Sequence, residues 1–202
     1  MKSTGDSHIE GHFYIGGINM HSNLESKLQE LIDEREIRQV LLRYFRGVDR
    51  CDVDLIDSCY HDDATDDHGN WIKHGSEIAQ HIVTLVSPGA AKAMHFVGNM
   101  LIEVEGDIAF AESYVLAYRA YEREGVPYTR VRAVRFIDRL EKRQGEWRIS
   151  ERVVVDDWNR VDEVTQTQEG ADLFRYGSKD KNDPVYQIRL RSLAGERVAG
   201  DA

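Results

Sequence analysis

From Ala91 onward the chain is committed to β-structure. Four long segments, Ala91–Val104, Ile108–Glu122, Tyr128–Glu141 and Trp147–Val161, are each rich in Val, Ile, Tyr and Phe. Only short glycine-containing links join them: Glu105-Gly106-Asp107, Glu124-Gly125-Val126-Pro127 and Gln144-Gly145-Glu146. β-Branched and aromatic side chains suit a pleated, half-buried surface, and links this short can only connect neighbours running in opposite directions. The second half of the chain therefore reads as an antiparallel meander. Within its first segment the apolar positions change parity, from Ala93 and Val97 to Met100, Ile102 and Val104, which places a bulge or bend at Gly98.

Ahead of the meander the period is helical. Leu28, Leu31, Ile32, Ile37, Leu41, Tyr44, Phe45 and Val48 recur at mostly three- and four-residue steps after Leu24, with Glu, Lys and Arg between them. One long amphipathic helix is predicted, capped by Ser22 or Asn23, with Gly47 loosening its last turn before Asp49. A short helix from Val53 to Tyr60 should turn Leu55, Ile56 and Cys59 inward, after which His61-Asp62-Asp63-Ala64 turns the chain out. Residues 64–69 and 70–74 read as a hairpin, and Ser76–Val86 as a third helix with Ile78, Ile82 and Leu85 on one side. Helices gathered ahead of a curved antiparallel sheet make an α+β fold with the helices on one sheet face.

Three regions follow: an N-terminal extension over 1–22, a domain over 23–161 and an extended tail over 162–202. The tail carries isolated apolar anchors at Leu173, Phe174, Tyr176, Val185, Tyr186 and Ile188, fit to lie over a pocket mouth or against a neighbouring subunit, and its last residues are expected to be mobile.

Composition narrows the partners. With 202 residues, 41% hydrophobic and 31% charged, the chain has the make-up of a soluble one-domain protein. A net charge of −10, with the arginines spread between acids, argues against nucleic acid. Cys51 and Cys59 have neither metal-site nor redox-motif spacing and read as reduced thiols. Residues 1–22 lack the cationic start and apolar core of a signal peptide, and no long apolar run occurs elsewhere, so cytoplasmic residence is expected.

Two residues interrupt apolar faces where proton transfer would need them: Asp49 at the polar end of the long helix, and His95 inside the first long strand. Each alone has an ordinary reading, a helix-end surface acid or a satisfied histidine at the core or rim. Together they suggest an imidazole base whose tautomer is fixed and whose charge is balanced by a carboxylate. Tyr44 lies about one and a half turns before Asp49, at reach of the same cavity or simply in the helix core. Arg152 sits among Val153, Val154 and Val155, where a cation needs an anionic partner, either at a site or in a structural pair with Glu112 or Asp157. Tyr60, Phe96, Tyr114, Tyr118 and Trp158 supply aromatic surface for a flat hydrophobic substrate. His61-Asp62-Asp63 and Asp66-Asp67-His68 have metal-ligand types, but acids around a turn also cap and solvate, and no metal is expected.

Three segments carry a resemblance: Tyr44-Phe45-Arg46-Gly47-Val48-Asp49-Arg50, Met94-His95-Phe96-Val97-Gly98-Asn99, and Gly145-Glu146-Trp147-Arg148-Ile149-Ser150-Glu151-Arg152. Over about Leu24–Val161 the chain resembles the SnoaL-like branch of the nuclear transport factor 2-like superfamily, near scytalone dehydratase, bile-acid dehydratase and hexachlorocyclohexane dehydrochlorinase. The resemblance implies a cone-shaped α+β barrel, no cofactor, often a homotrimer, and an Asp49–His95 catalytic dyad assisted by Tyr44 and Arg152. The two dehydratases use a second pocket tyrosine about where this chain has His68, so His68 either replaces it as donor or serves a different substrate. The implied activity is a cofactor-independent lyase, by dehydratase-type elimination or deformylation of a small hydrophobic, cyclic or aromatic compound, of the kind met in aromatic catabolism. Alternatives on the same scaffold are a ketosteroid-isomerase-like or polyketide-cyclase-like enzyme, and a non-catalytic ligand carrier or assembly subunit like the β subunits of ring-hydroxylating dioxygenases.

Overall fold

The computed structural model describes residues 20–87 and 92–193. The expectations for residues 1–19, Ala91 and the last nine residues lie outside them. Helix α1 spans Met20–Arg50 and runs through both predicted caps, Ser22 and Asn23. Its buried face, Ile37, Val40, Leu41, Tyr44, Phe45 and Val48, follows the helical repeat of the sequence, whereas Leu24, Leu28, Leu31 and Ile32 are exposed. Gly47 does more than loosen a turn: a Cβ there would come within 2.7 Å of Ile56 Cγ1, so its absence lets the next helix pack onto α1. That helix, α2, is Val53–Asp57, shorter than expected because Tyr60 already belongs to a strand.

Strand β1 covers Tyr60–Asp67 and corrects the sequence reading, since His61-Asp62-Asp63-Ala64 continues the strand instead of turning it out. Strand β2 (Ile72–His74) pairs antiparallel with β1, and helix α3 (Glu77–Val86) follows. Gly75 between them has φ +50°, and a Cβ there would lie 2.1 Å from Asp62 O, so only glycine fits. The four long strands are β3 (Lys92–Glu105), β4 (Ile108–Arg123), β5 (Val126–Arg143) and β6 (Glu146–Glu163). Glu124-Gly125 and Gln144-Gly145 both have positive φ at each residue, the twist that two-residue hairpins demand.

The sheet order is β2-β1-β6-β5-β4-β3, with β1 parallel to β6 and every other pairing antiparallel. Register shifts fall between Val97 and Met100, the site predicted at Gly98, and at two points along β5–β6. Such irregularities increase bending, so the sheet wraps the helices and its inner face closes a core. Buried Ala109, Ala111, Val115, Val134, Phe136, Leu140, Trp147, Ile149 and Val154 meet α1, α2 and α3 there. Asp33 fastens α1 to the last hairpin by accepting from Lys142 Nζ at 2.7 Å and Trp147 Nε1 at 2.8 Å.

The tail is more ordered than expected. After β6 come a single 3-10 turn at Ala171–Leu173 and helix α4 at Pro184–Leu193. The expected extended conformation missed α4. Among the described residues no helix is long and apolar enough to cross a membrane.

Candidate active site

The long helix delivers Asp49 to the sheet, and the parity of β3 turns His95 to meet it. Asp49 Oδ1 lies 2.7 Å from His95 Nδ1, and Oδ2 accepts from the His95 backbone N–H at 3.0 Å. One carboxylate thus holds both the ring and the main chain of the histidine. In the tautomer that donates from Nδ1 to this carboxylate, Nε2 keeps its lone pair. Phe45 packs against the imidazole, ring centroids 5.5 Å apart, restricting its swing.

His95 borders a cavity of about 250 Å³ enclosed between the helices and the inner sheet face. Tyr44, Val48, Trp71, Ile82, Leu85, Val134 and Phe136 supply walls, and His68, Tyr118, Arg119, Arg130 and Arg132 also line it. Burial pushes the Tyr44 phenol far above its usual range, against the pull of Arg152, so it stays protonated and able to donate.

A second histidine–carboxylate pair faces the same space. His68 stacks on Trp71, centroids 4.1 Å apart and planes 15° from parallel, and its Nε2 stands 3.1 Å from Asp66 Oδ1. These two atoms are at ion-pair distance without hydrogen-bond alignment. Behind them runs a buried chain: Tyr60 O–H donates to Asp66 Oδ2 at 2.7 Å, Arg152 Nη1 donates to Tyr60 Oη at 2.9 Å, and Arg152 grips Asp138 through Nε at 2.6 Å and Nη2 at 3.0 Å. Strand pairing sets this up, because β1 and β6 lie side by side with Asp66 opposite Arg152, and β5 brings Asp138 opposite the same arginine.

Several expected site residues lie elsewhere. Arg152 is fully buried behind the cavity wall, its guanidinium 4.0 Å over the Tyr44 ring, and its partner is Asp138; Glu112 and Asp157 pair with Arg135 instead. It holds Asp138 and Tyr60 and does not line the cavity. Tyr60 is likewise behind the wall. Phe96, Tyr114 and Trp158 are 60%, 46% and 53% exposed and point away from the cavity. Their misplacement has a plain cause: side chains alternate across a strand, so Phe96 must oppose its neighbour His95. The acidic stretch after α2 does not converge, for His61 Nε2 meets Glu141 O, Asp63 pairs with Arg143 and Asp66 turns to Tyr60. Sequence reasoning missed Trp71 and the three cavity arginines, although Arg119 shares parity with Ala109, Ala111 and Val115, and Arg130 and Arg132 with Val134 and Phe136.

The comparisons with known proteins agree with this architecture. The model of the SnoaL-like domain matches residues 29–153. This chain belongs to the SnoaL-like domain family. No curated protein sequence matches it. Among solved structures, a type 2 hexachlorocyclohexane dehydrochlorinase shares 19% identity over 72% of this chain and 99% of its own, with TM-score 0.64. Hexachlorocyclohexane dehydrochlorinase type 3 of Novosphingobium barchaimii gives 21%, 70% and 97%, with TM-score 0.62. A candidate scytalone dehydratase of Novosphingobium aromaticivorans gives 17%, 69% and 97%, with TM-score 0.58. These likenesses carry the fold of the SnoaL-like domain.

Proposed function

We propose that this SnoaL-like domain is a cofactor-independent lyase that eliminates water or a comparable leaving group, or removes a formyl group, from a small cyclic or aromatic substrate. The observation that carries this reading is the two-point grip of Asp49 on His95 beside a cavity lined by both apolar and polar side chains. In the dehydration, His95 Nε2 takes a proton from a carbon next to an electron-withdrawing group while Asp49 balances the imidazolium. The C–H pair becomes the new double bond, and the C–O bond breaks on the other side. The departing oxygen takes a proton from His68 or Tyr44 and leaves as water. General-base participation accounts for about 10² to 10⁴ in rate, the remainder coming from donors fixed toward developing charge. A cavity of about 250 Å³ suits a single- or double-ring compound. A dehydrochlorinase and a candidate dehydratase among the structural neighbours favour the same class.

The test is turnover of a panel of β-hydroxy ketones and cyclic β-hydroxy acids, followed by absorbance of the conjugated product. The native protein should convert members of the panel, and His95→Gln and Asp49→Asn should lose about 10² to 10⁴ of that rate with unchanged circular dichroism. A folded, fully active His95→Gln protein would remove the base. The protonated Tyr44 phenol also favours an isomerase, and deuterium entering the substrate without loss of a fragment would select that alternative.

A further inference from the structure

The cavity that holds two histidine–carboxylate pairs also gathers cations from a chain whose net charge is −10. Arg119 on β4 stands directly opposite Arg130 on β5, and Arg132 follows on the same face, all three bordering the cavity. Like charges placed opposite each other across a strand pair are unfavourable, so the arrangement calls for a negative group between them. Arg119 has a partner of its own, so the question falls on Arg132 and Arg130. Arg132 is neutralised by Asp156, which accepts from its Nε at 2.8 Å and from its Nη2. For Arg130, no acidic group lies within ion-pair distance among the described residues, and its Nε is buried without a hydrogen-bond partner. Burial and the neighbouring Arg132 and Arg119 push its guanidinium below the ordinary range, the direction expected of a cation short of counter-charge.

The register fixes where a negative group would sit relative to the chemistry. His95, Ala117 and Arg132 form one cross-strand row, and Ala93, Arg119 and Arg130 the next. Two strand spacings separate β3 from β5, about 10 Å between backbones, and an arginine spans more than half of that. The two rows are adjacent and border one cavity, so a group held by Arg130 shares that cavity with the His95 ring.

We propose that the substrate is an acid: a small cyclic or aromatic compound bearing a carboxylate, bound by Arg130 with Arg119 and Arg132 flanking it. The proposal adds the substrate class to the lyase reading and rests on its cavity, but it is tested by binding alone. Benzoate, benzamide and phenyl phosphate are titrated calorimetrically into the full-length protein and into Arg130→Gln, Arg130→Lys and His95→Gln. Benzoate should bind about ten- to a hundredfold more tightly than isosteric benzamide, and Arg130→Gln should erase that preference while Arg130→Lys keeps part of it. His95→Gln should bind benzoate as the native protein does, so an inactive His95 variant and an intact acid site, or the reverse, separate the two readings. Equal binding of benzoate and benzamide by the native protein, no benzoate binding, or an undiminished preference in Arg130→Gln would overturn the proposal, as would tighter binding of phenyl phosphate, which would make the ligand a phosphate. If Arg130→Gln does not fold, the benzoate–benzamide comparison on the native protein and Arg130→Lys still decide it.

Discussion

At the scale of single residues, the molecule keeps its charged groups in two different states of engagement. Asp49 and His95 are paired with each other through one ring nitrogen, and His95 borders the cavity. Each guanidinium nitrogen of Arg152 is engaged: Asp138 takes two of its N–H donors, Tyr60 a third, and the Tyr44 ring covers its face. Despite the cost of burial, these partners hold its guanidinium well above the ordinary range. Replacing Arg152 with Met would leave Asp138 buried without its partner and Asp66 without the cation behind Tyr60, so urea denaturation should show a loss of about 3–5 kcal/mol. The effect should appear in stability, whereas His95→Gln should appear in turnover. His68 has a separate signature. If it protonates the leaving group, His68→Gln should slow poor leaving groups such as hydroxide far more than good ones such as chloride, measured on a paired set of substrates.

At the scale of elements, the corner between α1 and α2 is held from outside by the tail. Asp52 caps α2 through the Leu55 N–H, and it also accepts from Lys181 Nζ and, at 2.8 Å, from Tyr186 O–H. Arg50, the residue after Asp49, pairs with Asp183 at 3.2 Å. The tail therefore buttresses the segment that carries the carboxylate, without lining the cavity. Burial would raise the carboxyls of both Asp52 and Asp183, but their hydrogen bonds, from Lys181 and Tyr186 to the first and from the Val185 and Ser178 N–H groups to the second, together with Arg50, outweigh it and lower them. A carboxyl lowered in the folded state contributes stability that is present above its unfolded value, about 3.9, and disappears as pH falls through the folded value. Hydrogen exchange of residues 178–190 should show steady protection from pH 7 to 5 and a loss of protection below about pH 4 that precedes loss of the sheet.

At the scale of the whole molecule, the outer sheet face carries large apolar side chains between its charged ones. Leu101, Phe110, Ile137 and Val153 are exposed there, alongside the misplaced Phe96, Tyr114 and Trp158. The family resemblance implies a homo-oligomer, and a second copy of the chain packed on this face would cover these side chains. Sedimentation should show an oligomer for the native protein, and Ile137→Asp should shift it toward monomer with the fold retained.

Much of this protein was legible without coordinates, because its signals are local. Periods of 3.6 and 2 marked the helices and the long strands, short glycine-containing links marked the hairpins, and the parity change at Gly98 marked a bend. Asp49 and His95 stood out because each broke an apolar face. Helix α4 was not legible, since its sequence lacks a continuous apolar stripe and it is anchored by polar contacts to Asp52 and Arg50. Which arginine is buried and which meets the cavity was equally hidden. Arg152 and Arg130 are both strand arginines among apolar neighbours; only the side-by-side placement of β1, β5 and β6 gives the first its acids and Tyr60, and leaves the second facing the hollow without one. Composition and periodicity set which elements form and which face each buries. Charge pairing depends on what lies opposite across the sheet, and that distance in sequence is closed only by folding.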